Sequence, residues 1–404
     1  MHPHYCRTST AILILLINYA CAAMDIPSEA TGTTIPVDHP AFVFSPGNWV
    51  GDDGRRGSLY RQTWNSGAYL RVSWESHGPN PTARLLLDPP PEPFRPFIAY
   101  CLDGIWRSRL PATRDIVIPE VTKPGHHTLT LVLHQSEQRA RWGGLGVSGH
   151  NVVRVKGLQL DPGSVPIPAT RGKRWALIIG DSITEGIGAS ELASYAYLTG
   201  TALQSKDFEF GISACGWNGW INRGDNPPGD VPGYFVVTGS TNGLDGTYQD
   251  SASRWNKIDG NGHSLLDATG RISAYGGTGQ EPSLMLINLG TNDALHHSNQ
   301  SDTRASMARA LVTLRAAAPR ANIALLVPFG QFYGAEIKGV IDAYCASHPD
   351  DHKVSVIDLG IPLSKTLGEG NSLFGNLHPN DRGHANIAAM LVPQIMARLD
   401  ASGP

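Results

Sequence analysis

Two rhythms of apolar residues divide the chain. Between Pro36 and Asp161 apolar and polar positions alternate. Ala68, Leu70, Val72 and Trp74 share one face of Ala68–Trp74, and Leu129, Leu131 and Leu133 share one face of Thr128–Leu133. A period of two predicts half-buried strands, because successive side chains of a strand point to opposite sides. Ala83–Leu87, Ile98–Leu102 and Asn151–Val155 carry further strand signals. Turn clusters at Pro46-Gly47-Asn48, Asp52-Asp53-Gly54 and Pro89-Pro90-Pro91 separate them. No sustained helical period interrupts this stretch, so the expected domain, 36–161, is an all-β sandwich of jelly-roll type.

Residues 162–172, with Pro162, Pro166 and Pro168, read as a stiff linker. From 173 to 404 the pattern changes to short apolar runs separated by longer amphipathic ones. The runs Trp175–Gly180, Phe208–Ser213, Leu284–Leu289, Ile323–Val327 and Val354–Ile357 predict buried strands. Helices are expected over Glu191–Leu203, after the third strand, and over Ala335–Ala346 and Asp381–Leu399. The second carries Met307, Leu311, Leu314 and Ala318 on one face, with Ser301 or Asp302 as its cap. Near-continuous apolar strands between such helices predict an α/β domain with a parallel sheet covered on both faces. One segment, Asn218–Pro282, breaks the rhythm. It is rich in Gly, Asn, Asp and Ser, carries several aromatic residues, and is expected to fold over the strand ends.

The N-terminus follows neither rhythm. Arg7 precedes an apolar run from Ala11 to Ile17, and small residues follow at Ala20, Cys21, Ala22 and Ala23. Residues 1–23 therefore read as a secretory signal peptide, which makes the expected location secreted or periplasmic. Cys21 suggests a lipoprotein anchor, but Asn18 stands where such a signal wants a branched apolar residue. The apolar run is too short to span a bilayer. Met24–Ile35 is a polar lead-in.

Composition adds little beyond exclusions. A net charge of −3 provides no basic footprint for nucleic acid. Beyond the signal only Cys101, Cys215 and Cys345 remain, too few and too scattered for a disulfide framework or a metal site. No cofactor is expected.

Three short blocks fall at strand ends, in order: Gly180-Asp181-Ser182-Ile183-Thr184-Glu185-Gly186, Gly290-Thr291-Asn292-Asp293 and His378-Pro379-Asn380. The C-terminal ends of strands are where open α/β sheets bind ligands. Acyl transfer needs a nucleophile, a base for its proton, and donors for the oxyanion. Ser182 would attack an ester carbonyl and His378 would take its proton. The Ser182 amide and the Asn292 side chain would hold the negative charge. A third donor would come from a glycine in Cys215-Gly216-Trp217-Asn218-Gly219-Trp220.

From Lys173 onward the chain resembles the SGNH or GDSL hydrolase superfamily, whose blocks I, III and V are similar to these three segments. The resemblance implies a flavodoxin-like domain, with Ser182 and His378 catalytic and Ser182, Gly216 and Asn292 forming the oxyanion hole. Gly219 stays open as the alternative to Gly216. With a sandwich in front, the layout is similar to carbohydrate esterase family 2. That implies a secreted serine esterase acting on an acylated carbohydrate. A polysaccharide O-acyltransferase using the same residues, or a carbohydrate-binding protein with a degenerate site, are the alternatives.

The superfamily places an aspartate three residues before the histidine, where this chain has Gly375. A Ser–His dyad results, with a backbone carbonyl, Asn376, Glu369 or Asp358 left to orient His378. His384 reads as structural, His296 and His297 as a solvated loop, and Asp293 as a strand-end or cap residue. Trp217, Trp220 and Trp255 are candidate sugar platforms, because apolar sugar faces stack on such rings.

Overall fold

The computed structural model describes residues 32–51, 59–88, 96–112, 115–135, 141–142, 152–190, 192–222, 231–237, 253–275, 279–363, 373–374 and 377–401. The signal segment with Cys21, the turn clusters 52–54 and 89–91, and Glu369, Gly375 and Asn376 lie outside them. The first strands are β1 (Thr33–Pro36), β2 (Phe42–Phe44), β3 (Val50–Gly51), β4 (Arg61–Thr63), β5 (Tyr69–Ser76) and β6 (Ala83–Leu87). Then come β7 (Phe97–Leu102), β8 (Ile105–Pro111), β9 (Asp115–Val117), β10 (Gly125–Gln135), β11 (Val153–Leu160) and β12 (Val165–Ile167). They form two six-stranded sheets, β3-β4-β11-β6-β9 with β1 on β11, and β12-β5-β10-β7-β8 with β2 on β5.

The alternation along β5 and β10 serves two cores at once. Leu70, Val72 and Trp74 point inward with Leu129, Leu131 and Leu133, against Leu85, Val155 and Leu158 of the other sheet. Tyr69 and Val132 point the opposite way, into a second core with Ile178, Phe210 and Leu286. The segment expected to be a linker also belongs to the sandwich. β12 lies within it and pairs antiparallel with β5, Pro166 opposite Trp74. Proline lacks an N–H to donate, so it is tolerated on an edge strand, which β12 is.

The remaining elements are β13 (Arg174–Gly180), α1 (Ser182–Glu185), α2 (Tyr195–Gln204), β14 (Phe208–Ala214), β15 (Leu284–Asn288), α3 (Thr291–Leu295) and α4 (Gln300–Ala317). They are followed by β16 (Asn322–Leu326), α5 (Gly334–Ser347), β17 (Val354–Ile357), β18 (Leu373–Phe374), β19 (His378–Pro379) and α6 (Asp381–Ala401). The five-stranded sheet runs β14-β13-β15-β16-β17, all parallel. The chain steps from β13 to one neighbour and returns on its other side, so the switch point lies at the end of β13. Two local signals differ from expectation. Asn299, not Ser301 or Asp302, caps α4 by accepting the Asp302 N–H at 3.1 Å. α2 starts at Tyr195, where Ser194 accepts the Tyr197 N–H.

The apolar described residues of the 218–282 segment pack on a face of the sheet, while its Asn218 and Arg254 reach the strand ends at Asn292 and Gly180. Trp220, Tyr234, Phe235, Ile258, Leu265 and Ile272 pack with Trp175, Leu177 and Ile179 of β13 and with Met307 and Leu311 of α4. They cover one face of the sheet where a crossover helix would otherwise lie. The other face is covered by α2, α6 and the outer side of the sandwich. There the buried Glu209 of β14 receives the Tyr69 hydroxyl, the Arg71 guanidinium at 2.5 Å and the Gly172 N–H at 2.9 Å. Gly211 lets β14 pass the Pro46 carbonyl, into which any Cβ would run. The exposed edge of the parallel sheet is thus closed by the sandwich.

Candidate active site

β13 ends at Gly180, where a Cβ would overlap the Thr184 hydroxyl and approach the Asn288 carbonyl at 3.0 Å. Asp181 then caps α1, its Oδ1 accepting the Ile183 N–H at 2.9 Å, and Gly186 closes the turn at φ 97°. Ser182 is the first residue of this turn, so its amide is among the orphan donors of a helix start. Burial pushes the Asp181 carboxyl up to about 7, the charge of Asp293 adding to it, against the Ile183 N–H and the Thr291 hydroxyl.

His378, 196 residues further on, places Nε2 2.9 Å from Ser182 Oγ. A serine hydroxyl and an imidazole nitrogen at that distance have the geometry that a nucleophile and its general base require. Burial holds the His378 pKa below its ordinary value, and the charge of Glu185 opposes that shift. Asp358 does not orient His378. Its carboxylate is held by Lys338 at 2.6 Å, Gln331 at 3.0 Å and the Gly360 N–H at 2.8 Å. Among the described residues no acceptor stands at His378 Nδ1.

Asn292 lies in α3, directly after the Gly290 turn with its φ of 126°. Its Nδ2 donates to the Asn218 carbonyl at 2.9 Å. A primary amide has two N–H groups, so one fixes the side chain and the other remains for an oxyanion. Both glycine amides expected as a third donor are engaged within the protein. The Gly216 N–H is donated to Glu185 Oε2 at 2.8 Å, and the Gly219 N–H to the Asn222 carbonyl at 2.9 Å. Among the described residues, the Ser182 N–H and the second Asn292 N–H make no hydrogen bond within the protein.

The loop 215–222 is held by four buried charges, Asp293, Arg254, Glu185 and Arg141, of which the two arginines are absent from the sequence reading. Asp293 accepts the N–H groups of Trp220, Ile221 and Asn222 at 2.8, 3.0 and 3.1 Å, a structural role in keeping with expectation. Burial raises its pKa, which those three donors oppose. Arg254 donates to Asn218 Oδ1 at 2.7 Å, to Ser213 Oγ at 2.9 Å and to the Gly180 carbonyl at 3.1 Å. Glu185, the acidic residue within the first block, holds Gly216 and pairs with Arg141 of the sandwich at 2.6 Å. The motif spacing placed Glu185 one turn from Ser182, which was the available signal. Nothing local marks Arg141 or Arg254.

The tryptophans separate. Trp220 is 1 % exposed and donates to the Leu289 carbonyl, so it is core and offers no face to a sugar. Trp255 packs on Phe235, ring centroids 6.0 Å apart, at the margin of the same core. Trp217, partly buried at φ 64°, lies between Gly216, held by Glu185, and Asn218, whose carbonyl holds Asn292. His384 is structural: it is buried, its Nδ1 accepts the Tyr195 N–H at 3.1 Å, and burial pushes its pKa down to about 4. Cys215 is buried, its thiol pKa raised by burial, and the described cysteines are all free. No metal-binding cluster occurs among the described residues.

A parallel sheet ordered 2-1-3-4-5 brings a serine and a histidine into contact at its switch point, the pair of groups that acyl transfer through a serine requires. The family model for GDSL-like lipases and acylhydrolases matches residues 177–391, and the chain belongs to that family; it is a carboxylic ester hydrolase. No curated protein sequence matches. Among solved structures, a family two carbohydrate esterase from Clostridium thermocellum in complex with cellohexaose is similar at TM-score 0.62 and 16 % identity, over 89 % of this chain and 99 % of that one. An acetyl xylan esterase from the rumen bacterium Butyrivibrio proteoclasticus follows at TM-score 0.61 and 15 % identity, over 91 % and 99 %. A salicylyl-acyltransferase from a tetracycline biosynthetic pathway matches at TM-score 0.56 and 15 % identity, over 91 % and 98 %. At these identities the likeness is one of fold, and it spans the sandwich as well as the hydrolase domain.

Proposed function

We propose that this ester hydrolase removes acetyl or comparably short acyl groups from a saccharide, through an acyl-enzyme on Ser182. The observation that carries the mechanism is the 2.9 Å contact between His378 Nε2 and Ser182 Oγ. Burial keeps His378 neutral near pH 7, ready to accept a proton. As Oγ attacks the ester carbonyl carbon, Nε2 takes the hydroxyl proton. The Ser182 N–H and the free Asn292 N–H hold the oxyanion. Collapse breaks the C–O bond, and the departing sugar alkoxide takes the proton from His378. Water then attacks the acyl carbonyl, giving its proton to His378, which returns it to Ser182 as the free acid leaves.

The saccharide assignment is supported by the similarity to carbohydrate esterases across both domains and by the partly buried Trp217 in the loop whose Asn218 holds Asn292. The segment 1–23 supports export, where such a substrate would be met. The similarity to an acyltransferase favours a second reading, in which a sugar hydroxyl replaces water in the second step. Ser182→Ala is expected to lower hydrolysis of 4-nitrophenyl acetate at least ~10³-fold with an unchanged circular dichroism spectrum. Retained activity would end the acyl-enzyme reading. Mass spectrometry of wild type incubated with an acyl donor and an oligosaccharide separates the two acceptors, since free acid alone excludes transfer.

A further inference from the structure

The hydrolase domain does not complete its own site. Glu185 follows Ser182 by one turn, and its side chain is 2 % exposed. One carboxylate oxygen holds the Gly216 N–H at 2.8 Å and the other holds Arg141 Nη1 at 2.6 Å. Arg141 stands between β10 and β11 of the sandwich, fully buried, and its second nitrogen donates to Cys215 Sγ at 2.9 Å. The pair therefore grips two consecutive residues at the head of the 215–222 loop. Two residues on, the Asn218 carbonyl fixes the Asn292 amide. Between them Trp217 sits at φ 64°, a conformation that persists in a non-glycine residue only where its surroundings impose it.

Arg141 is itself fixed from the sandwich side. Its guanidinium lies 5.3 Å from the Trp64 ring centroid, and Trp142 meets that ring edge-on. Trp64 donates to the Ile258 carbonyl at 2.8 Å, and the Trp142 carbonyl accepts the Gly260 N–H at 2.6 Å. A buried ion pair is a poor device for stability alone, since apolar residues of the same shape serve as well or better. It is a good device for setting a register.

We propose that Arg141 and Glu185 are positioning residues of the acyl-transfer site, by which the sandwich sets the loop that aims Asn292. This rests on the acyl-enzyme reading above. Among the described residues, Glu185 is the charge that acts on His378; Asp381 is taken by Ser190 and His384 is neutral. Removing the Glu185 charge therefore also removes what holds the His378 pKa up.

The test compares Glu185→Gln, Arg141→Met and their double variant in 4-nitrophenyl acetate hydrolysis, with kcat and KM resolved across pH. Glu185→Gln is expected to lower kcat about 10- to 100-fold, the effect of a misplaced group, with KM within about twofold. The acid limb of kcat/KM should move to lower pH, which a merely structural defect would not cause. The double variant should be no worse than Arg141→Met, because it no longer leaves a carboxylate buried and unpaired. A wild-type kcat, an unmoved limb, or a loss confined to KM overturns the proposal. If either single variant fails to fold, Glu185→Asp decides. It keeps the charge but cannot reach both partners, so a lowered kcat with the limb in place supports the proposal and an unchanged kcat overturns it. Ser182→Ala runs alongside. Should it stay active, the acyl-enzyme reading falls; should it be dead while the Glu185 variants match wild type, only the present proposal falls.

Discussion

Replacing Asn292 with alanine removes two hydrogen bonds whose consequences can be measured separately. One N–H is held by the Asn218 carbonyl at 2.9 Å, in a residue only 1 % exposed. Leaving that carbonyl without its partner costs about 1–3 kcal/mol of folding stability. The other N–H has no acceptor among the described residues, and losing an oxyanion donor of this kind raises the barrier by about 2.7–4 kcal/mol, or 10²–10³ in kcat. Urea unfolding reads the first effect and steady-state hydrolysis of 4-nitrophenyl acetate the second. Asn292→Asp sharpens the comparison. It is nearly isosteric, yet it sets a carboxylate against the Asn218 carbonyl and adds negative charge where more must develop. It should fall at least as far as alanine in kcat despite its better fit. A kcat within about threefold of wild type for Asn292→Ala, well short of the loss expected for an oxyanion donor, would refute the assignment.

Two further outcomes concern pH. The wild-type kcat/KM should rise with pH as His378 loses its proton, with a midpoint below about 6.5, since burial favours the neutral ring. A midpoint at or above that value would contradict the burial argument. His384, pushed down to about 4, binds a proton more readily unfolded than folded, so its share of stability is present above about pH 6.5 and lost as pH falls toward 4. That share is about 3 kcal/mol. Because the raised pKa of Asp181 acts in the opposite sense, urea unfolding at pH 7 and pH 4.5 should compare wild type with His384→Asn, whose loss on acidification should be smaller.

The parts legible in the sequence were those encoded locally. Strand alternation at Ala68–Trp74 and Thr128–Leu133, and three motifs at strand ends, depend on neighbours within a few residues. What stayed hidden depends on contacts across the chain. Arg141 lies 44 residues before Glu185, in a stretch with no periodic pattern, and Arg254 meets the Gly180 carbonyl across 74 residues. Trp220 looked like a sugar platform because an aromatic in a glycine-rich segment reads as exposed; burial against β13 and α4 is a tertiary fact. The Pro-rich segment looked like a linker because proline argues against a strand, and only an edge position admits it. Gly216 matched the motif in type, and its amide was already taken by a carboxylate whose reach the spacing does not reveal.

The two faces of β5 bear on how heat destroys this enzyme. One face belongs to the core inside the sandwich and the other to the core beneath the parallel sheet. Such a strand cannot leave one core and stay in the other, so the two domains should melt in a single calorimetric transition. Catalysis should then survive only to the temperature that the sandwich tolerates, although the serine, the histidine and Asn292 all lie in the other domain.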